Sequence, residues 1–117
     1  MKERDYTDYI RDILISTRDT KEFTKGITFD EFKQDKKTIN AVLRSIEVMG
    51  EAVKNIPTQL KEKHPNVPWK KISGMRDKLI HEYLGVDLEV VWETVKNDLP
   101  SLEPLILDIL KKLNNWQ

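Results

Sequence analysis

The chain of 117 residues contains no cysteine, which excludes disulfide staples and cysteine-ligated zinc alike. Its two histidines, His64 and His81, are far apart and lack carboxylates at the spacing of a metal-binding helix. Neither a metal nor another cofactor is therefore expected. No apolar run approaches the roughly 18 residues that a membrane span needs. The first residues, Met1-Lys2-Glu3-Arg4-Asp5, enter a charged amphipathic pattern without the apolar stretch of a secretory signal, so a cytoplasmic protein is the simplest expectation. An excess of charge of one sign is also missing, since 20 basic residues face 20 acidic ones. That balance argues against general electrostatic attraction to nucleic acid, and any such contact must be local. Period-two alternation, hairpin dipeptides such as Asn-Gly, repeats and low-complexity tracts are absent too, which leaves little room for β-structure.

What is present is helical. A chain with 38% hydrophobic and 34% charged residues suits amphipathic helices around a modest core, and its length fits a single domain over residues 1–117. Tyr6, Tyr9, Ile10, Ile13, Leu14 and Thr17 form one helical stripe, which predicts a first helix from about Glu3 to Phe23, ended by Gly26. Thr28 and Glu31 make a capping box for a short helix, flanked by Ile27 and Phe32 as a hydrophobic staple. After Asp35 a second stripe runs through Ile39, Val42, Leu43, Ile46, Met49, Val53 and Ile56 to Pro57. Gly50 interrupts its side chains, where another helix can come close. Residues 58–67 read as a connection with one turn of helix.

Pro68 suits the start of a further helix bearing Trp69, Ile72, Met75, Leu79 and Ile80, and Gly85 is placed to end it. Asp87 is a fair N-cap for a helix that carries Leu88, Val91, Trp92, Val95 and Leu99, with Pro100 and Pro104 interrupting it. Leu102, Leu105, Ile106, Ile109, Leu110 and Leu113 complete the last stripe. The expected fold is an all-α bundle of four to five helices.

One stretch stands out chemically: Arg76-Asp77-Lys78-Leu79-Ile80-His81-Glu82-Tyr83. Arginine grips a phosphate with two parallel N–H donors and never loses its charge. Histidine can take and give a proton near neutral pH, and tyrosine adds a hydroxyl. Together they are the minimum set for metal-free cleavage of RNA. The surroundings are locally basic, with Lys61, Lys63, Lys70, Lys71, Arg76 and Lys78 against Glu62 and Asp77. Lys70, Lys71 and Lys78 are accordingly candidate phosphate contacts.

Helix geometry sets a constraint on this set. Arg76 and Tyr83 lie within about 20° of each other on an ideal helix, but His81 is about 140° from Arg76. Either the helix loosens toward Gly85, or two copies bring their motifs together across a two-fold axis. Structural roles compete with the chemical one: Arg76 pairing a carboxylate such as Glu82 or one on a neighbouring helix, His81 near a helix C-terminus, and Tyr83 as a core aromatic.

The chain resembles the HEPN superfamily, whose members carry Arg, four to six residues, then His. More narrowly it resembles the HepT-type toxins, with the pattern Arg-x4-His-x-Tyr. Arg76, His81 and Tyr83 match that pattern in full. So do Gly50-Glu51-Ala52, Pro68-Trp69, Gly74-Met75, Asp87, Trp92 and Leu99-Pro100 elsewhere in the family profile, so the likeness spans nearly the whole chain. Where the family commonly has asparagine after the arginine, this chain has Asp77.

The resemblance implies a HEPN-type fold and a homodimeric RNA endonuclease that is the toxin of a toxin–antitoxin pair. His81 would serve as general base or acid and Arg76 would steady the transition state. Asp77 and Glu51 would orient Arg76 or His81, although Arg44, two turns earlier, is the expected ion-pair partner of Glu51. The resemblance also implies that an MntA-type nucleotidyltransferase antitoxin adds AMP to Tyr83, placing a bulky anion beside Arg76 and His81. Two further readings are a non-catalytic RNA- or nucleotide-binding subunit of a nucleotidyltransferase complex, and a purely structural helical adaptor.

Overall fold

A computed structural model describes residues 5–81 and 85–114. The first helix, α1 (Tyr6–Phe23), begins at the first residue of its apolar stripe and not near Glu3 as expected. Asp5 is extended, and its carboxylate accepts hydrogen bonds from the backbone N–H groups of Thr7 and Asp8 at 2.8 and 3.2 Å. A capping side chain fixes the start at that point. Ile10, Ile13 and Leu14 are buried along α1 together with Thr17, Thr20 and Thr24. The three hydroxyls each donate to a carbonyl one turn back, those of Ile13, Thr17 and Thr20, at 2.8 Å, so burial leaves no donor unmet.

Gly26 takes a φ of 76° and turns the chain. The capping box then opens α2 (Phe29–Gln34): the Glu31 backbone N–H donates to the Thr28 hydroxyl at 3.1 Å, and the Thr28 N–H to the Glu31 carboxylate at 2.9 Å. Asp35 caps α3 (Lys36–Lys54) through the Thr38 N–H. The connection expected after Pro57 contains the short helix α4 (Thr58–Lys63). Its end is tied to the start of α5 (Trp69–His81), because the Trp69 indole N–H is shared between the carbonyls of Lys61 and His64.

Asp87 caps α6 (Leu88–Glu93), which is shorter than the helix expected through Leu99. From Thr94 to Asp98 the chain widens into a π-helical turn, and Leu99–Ser101 tightens into a 3-10 turn. Pro100 is the physical reason: it has no N–H, and its ring clashes with a carbonyl four residues back, so the regular ladder cannot pass through. Pro104 does not interrupt. It sits in the first turn of α7 (Leu102–Asn114), where a missing N–H costs nothing.

The four longer helices form the bundle. α1 packs against both α3 and α7, and α3 against both α1 and α5. Ile10, Ile13, Phe32, Ile46, Met49, Ile72, Ile106 and Ile109 are sealed from solvent in its core, each stabilising by about 1.5–3 kcal/mol. Trp92 closes one end against the rings of Phe29 and Phe32. Among the described residues there is no strand, and no helix is long and apolar enough to cross a membrane.

The crossing of α3 and α5 is set by Gly50. A methyl group there would lie 2.1 Å from Cβ of Arg76 and 3.3 Å from the Ile72 carbonyl oxygen. The bare backbone of α3 is what lets α5 lay the stem of Arg76 directly across it.

Candidate active site

Arg76 is the centre of the best-defined polar cluster on the molecule. Its stem is clasped at the Gly50 crossing, and only 24% of its side chain meets solvent. One guanidinium nitrogen, Nη2, forms an ion pair with Glu51 Oε2 of α3 at 2.9 Å, and the other, Nη1, donates to Asp77 Oδ1 at 3.3 Å. Nε is buried and has no hydrogen-bond partner among the described residues. A buried unmet donor costs about 1–3 kcal/mol, a cost tolerated at functional sites more often than elsewhere.

Asp77 also accepts from the Lys54 ammonium of α3. Lys54, followed by Arg76, holds the Asp77 carboxyl below the usual carboxylate range against a smaller opposing effect of desolvation. Lys54 was not singled out by sequence reasoning. It is 23 residues from Asp77, and no local spacing links the two. Around Arg76 and Glu51 the surface forms a shallow hollow lined also by Tyr9, Asp12, Arg44, Glu47, Val48 and Ala52.

The expected partnership of Glu51 with Arg44 is corrected by these contacts. Arg44 bonds Glu47, one turn along α3, at 3.2 Å, and Glu51 turns instead to Arg76. Gly50 brings the guanidinium close enough to compete, and a half-buried cation is the stronger partner.

The three candidate phosphate-binding lysines do not gather around Arg76. Lys70, Lys71 and Lys78 are exposed on α5, offset from Arg76 by about 120–160° on the helix. Lys71 is engaged with Asp98 of the π-helical turn at 2.8 Å. Lys78 borders an apolar hollow with Met75, Leu79, Val86, Val90 and Val91.

The backbone of α5 stays helical as far as His81. The side chain of His81 and the whole of Tyr83 lie outside the described residues. The described part of the site thus comprises one oriented cation, Arg76, with Glu51, Asp77 and Lys54 arranged about it.

Such a group can take an oxyanion through arginine's planar donors. Comparison with known proteins places it in context. The HepT-like family, described as ribonuclease HepT-like, matches residues 13–109. A protein of Thermococcus cleftensis named "Probable ribonuclease HepT" is 50% identical over 101 residues, 86% of this chain and 92% of that protein. A candidate RNase of Caldanaerobacter subterraneus subsp. tengcongensis is 48% identical, covering 89% of this chain and 93% of its own length. Another from Methanocaldococcus jannaschii is 47% identical, with 93% of each chain covered. No solved structure matches the chain. A match over residues 13–109 spans the α3 and α5 positions that build the Arg76 cluster, and this chain belongs to the ribonuclease HepT-like family.

Proposed function

We propose that the chain is a metal-independent RNA endonuclease, the toxin of a toxin–antitoxin pair, acting as a two-fold homodimer. The observation that carries this reading is the Arg76 guanidinium, clasped at the Gly50 crossing and aimed by Glu51, in a chain of the ribonuclease HepT-like family.

In this mechanism His81 takes the proton from a ribose 2′-hydroxyl, and the 2′-oxygen attacks the adjacent phosphorus. The bond from phosphorus to the 5′-oxygen breaks, and the partner's His81 gives that oxygen a proton. The products are a 2′,3′-cyclic phosphate and a 5′-hydroxyl. Arg76 holds the charge that builds on the non-bridging oxygens at the transition state.

The dimer answers the geometric difficulty in the sequence. α5 is helical through His81, so Arg76 and His81 keep their offset of about 140° within one chain. A second copy would supply the complementary group. A cognate nucleotidyltransferase adding AMP to Tyr83, seven residues after Arg76, would place a fixed anion where the RNA phosphate must go.

The test is His81→Ala. The variant should bind RNA as the unaltered protein does while cleaving it at least a hundredfold more slowly, in keeping with the usual contribution of a general acid or base. Undiminished cleavage takes the reaction away from His81 and sinks this mechanism, whereas growth arrest that persists in a variant that no longer cuts RNA sinks the nuclease reading and favours a subunit that only grips RNA.

A further inference from the structure

The cluster around Arg76 contains a cation for which the cleavage chemistry has no use. Lys54 is the last residue of α3, and its ammonium pairs with Asp77, the immediate neighbour of Arg76 in α5. Asp77 therefore stands between two positive groups, and its two contacts are unequal. The Lys54 contact is the closer, whereas Arg76 Nη1 lies 3.3 Å away, at the long end of a hydrogen bond.

Charge counting shows what that inequality does. Among the four groups in direct contact, Arg76 and Lys54 are balanced by Glu51 and Asp77, so this set carries no net charge as it stands. Without Lys54 it would be net negative, with one carboxylate on each terminal nitrogen of the guanidinium. A phosphate arriving at Arg76 would then have to displace a carboxylate with no other partner, against a repulsive local field. With Lys54 in place, Asp77 is already drawn off, and Nη1 is the less closely held of the two terminal nitrogens of Arg76.

We propose that Lys54 is a positioning residue of the RNA site: by drawing Asp77 aside it keeps one edge of Arg76 open to a phosphate oxygen. This deepens the nuclease reading above and rests on it.

The experiment compares cleavage of a short RNA by the unaltered protein, Lys54→Met, Asp77→Asn and the double variant. Lys54→Met should raise KM roughly fivefold, the scale of one partly exposed charge pair, with kcat little changed. In the Asp77→Asn background the same substitution should change nothing, because the carboxylate to be held aside is gone. No loss in Lys54→Met overturns the proposal. So does an equal loss in both backgrounds, which would make Lys54 a direct phosphate contact. A readout independent of cleavage is the Arg76 Nε–Hε NMR resonance without RNA, expected to move in Lys54→Met and to stay put between Asp77→Asn and the double variant. If the unaltered protein fails to cut RNA the nuclease reading falls, and that resonance still decides whether Lys54 governs the hold of Asp77 on Arg76.

Discussion

Gly50 and Arg76 touch at the crossing of α3 and α5 so closely that a single added methyl would stand 2.1 Å from Arg76 Cβ and 2.7 Å from its Cγ. These atoms belong to the root of the side chain and cannot swing away without moving α5. Gly50→Ala should therefore cost about 1–3 kcal/mol of stability, even though alanine is the better helix former. Thermal unfolding measures the loss. RNA cleavage by the protein that remains folded should fall as well, because the methyl displaces the arginine itself.

Glu51 orients Arg76 through one 2.9 Å contact. Glu51→Ala is expected to lower kcat/KM about tenfold by letting the guanidinium wander from its productive position. Glu51→Gln, which keeps an acceptor oxygen beside the guanidinium but drops the charge, should lose less. Stability should change by under about 1 kcal/mol in either case, because Glu51 is more than half exposed. Steady-state cleavage alongside thermal melts separates the two effects.

Local sequence signals located some helix starts and missed others. Thr28 with Glu31, and Asp87, cap the helices expected of them, because a cap depends on atoms within three residues of itself, whereas the caps at Asp5 and Asp35 were not singled out. Gly26 and Gly50 were legible for a similar reason, as one turns the chain and the other admits a helix. The π-helical turn at Thr94–Asp98 was not, since the apolar stripe continues through Val95 and Leu99 while Pro100 reshapes the hydrogen bonds upstream of itself.

The site divides in the same way. Arg76, His81 and Tyr83 were marked by residue type and by resemblance. The contacts of Arg76 with Glu51, and of Asp77 with Lys54, depend on how α3 and α5 cross. Local spacing instead suggested Arg44 for Glu51 and passed over Lys54.

Lys96 should prove a structural tether. Its ammonium donates to the Thr24 carbonyl at the end of α1 at 2.8 Å and lies 4.8 Å from the Trp92 ring centroid. Lys96→Met removes both the carbonyl's partner and the cation over the ring, and is expected to destabilise the fold by about 1 kcal/mol. Chemical denaturation should show a lower midpoint with an unchanged slope.

Acid should weaken the fold in two separate windows. Burial, reinforced by Lys112, lowers the His64 pKa from 6.5, so the unfolded chain binds the proton more readily than the folded one. That makes stability decline as pH drops below about 6.5, until His64 is protonated in the folded state too. Asp35, lowered mainly by hydrogen bonds from Thr38, and Asp77, lowered chiefly by Lys54, both start from 3.8. Their contribution is fully present above that value and is lost as pH falls through their lower folded-state values. Melting temperatures across pH should show both declines, and His64→Gln should flatten the upper one alone.

The chemistry of cleavage is tested most directly by the ends it leaves on a defined RNA cut in EDTA by the purified protein. Acid-base work by His81, with Arg76 steadying the phosphate, predicts undiminished cleavage that yields 2′,3′-cyclic phosphate and 5′-hydroxyl ends, abolished in Arg76→Ala. Cleavage that stops on chelation, or that yields 3′-hydroxyl and 5′-phosphate ends, would contradict it.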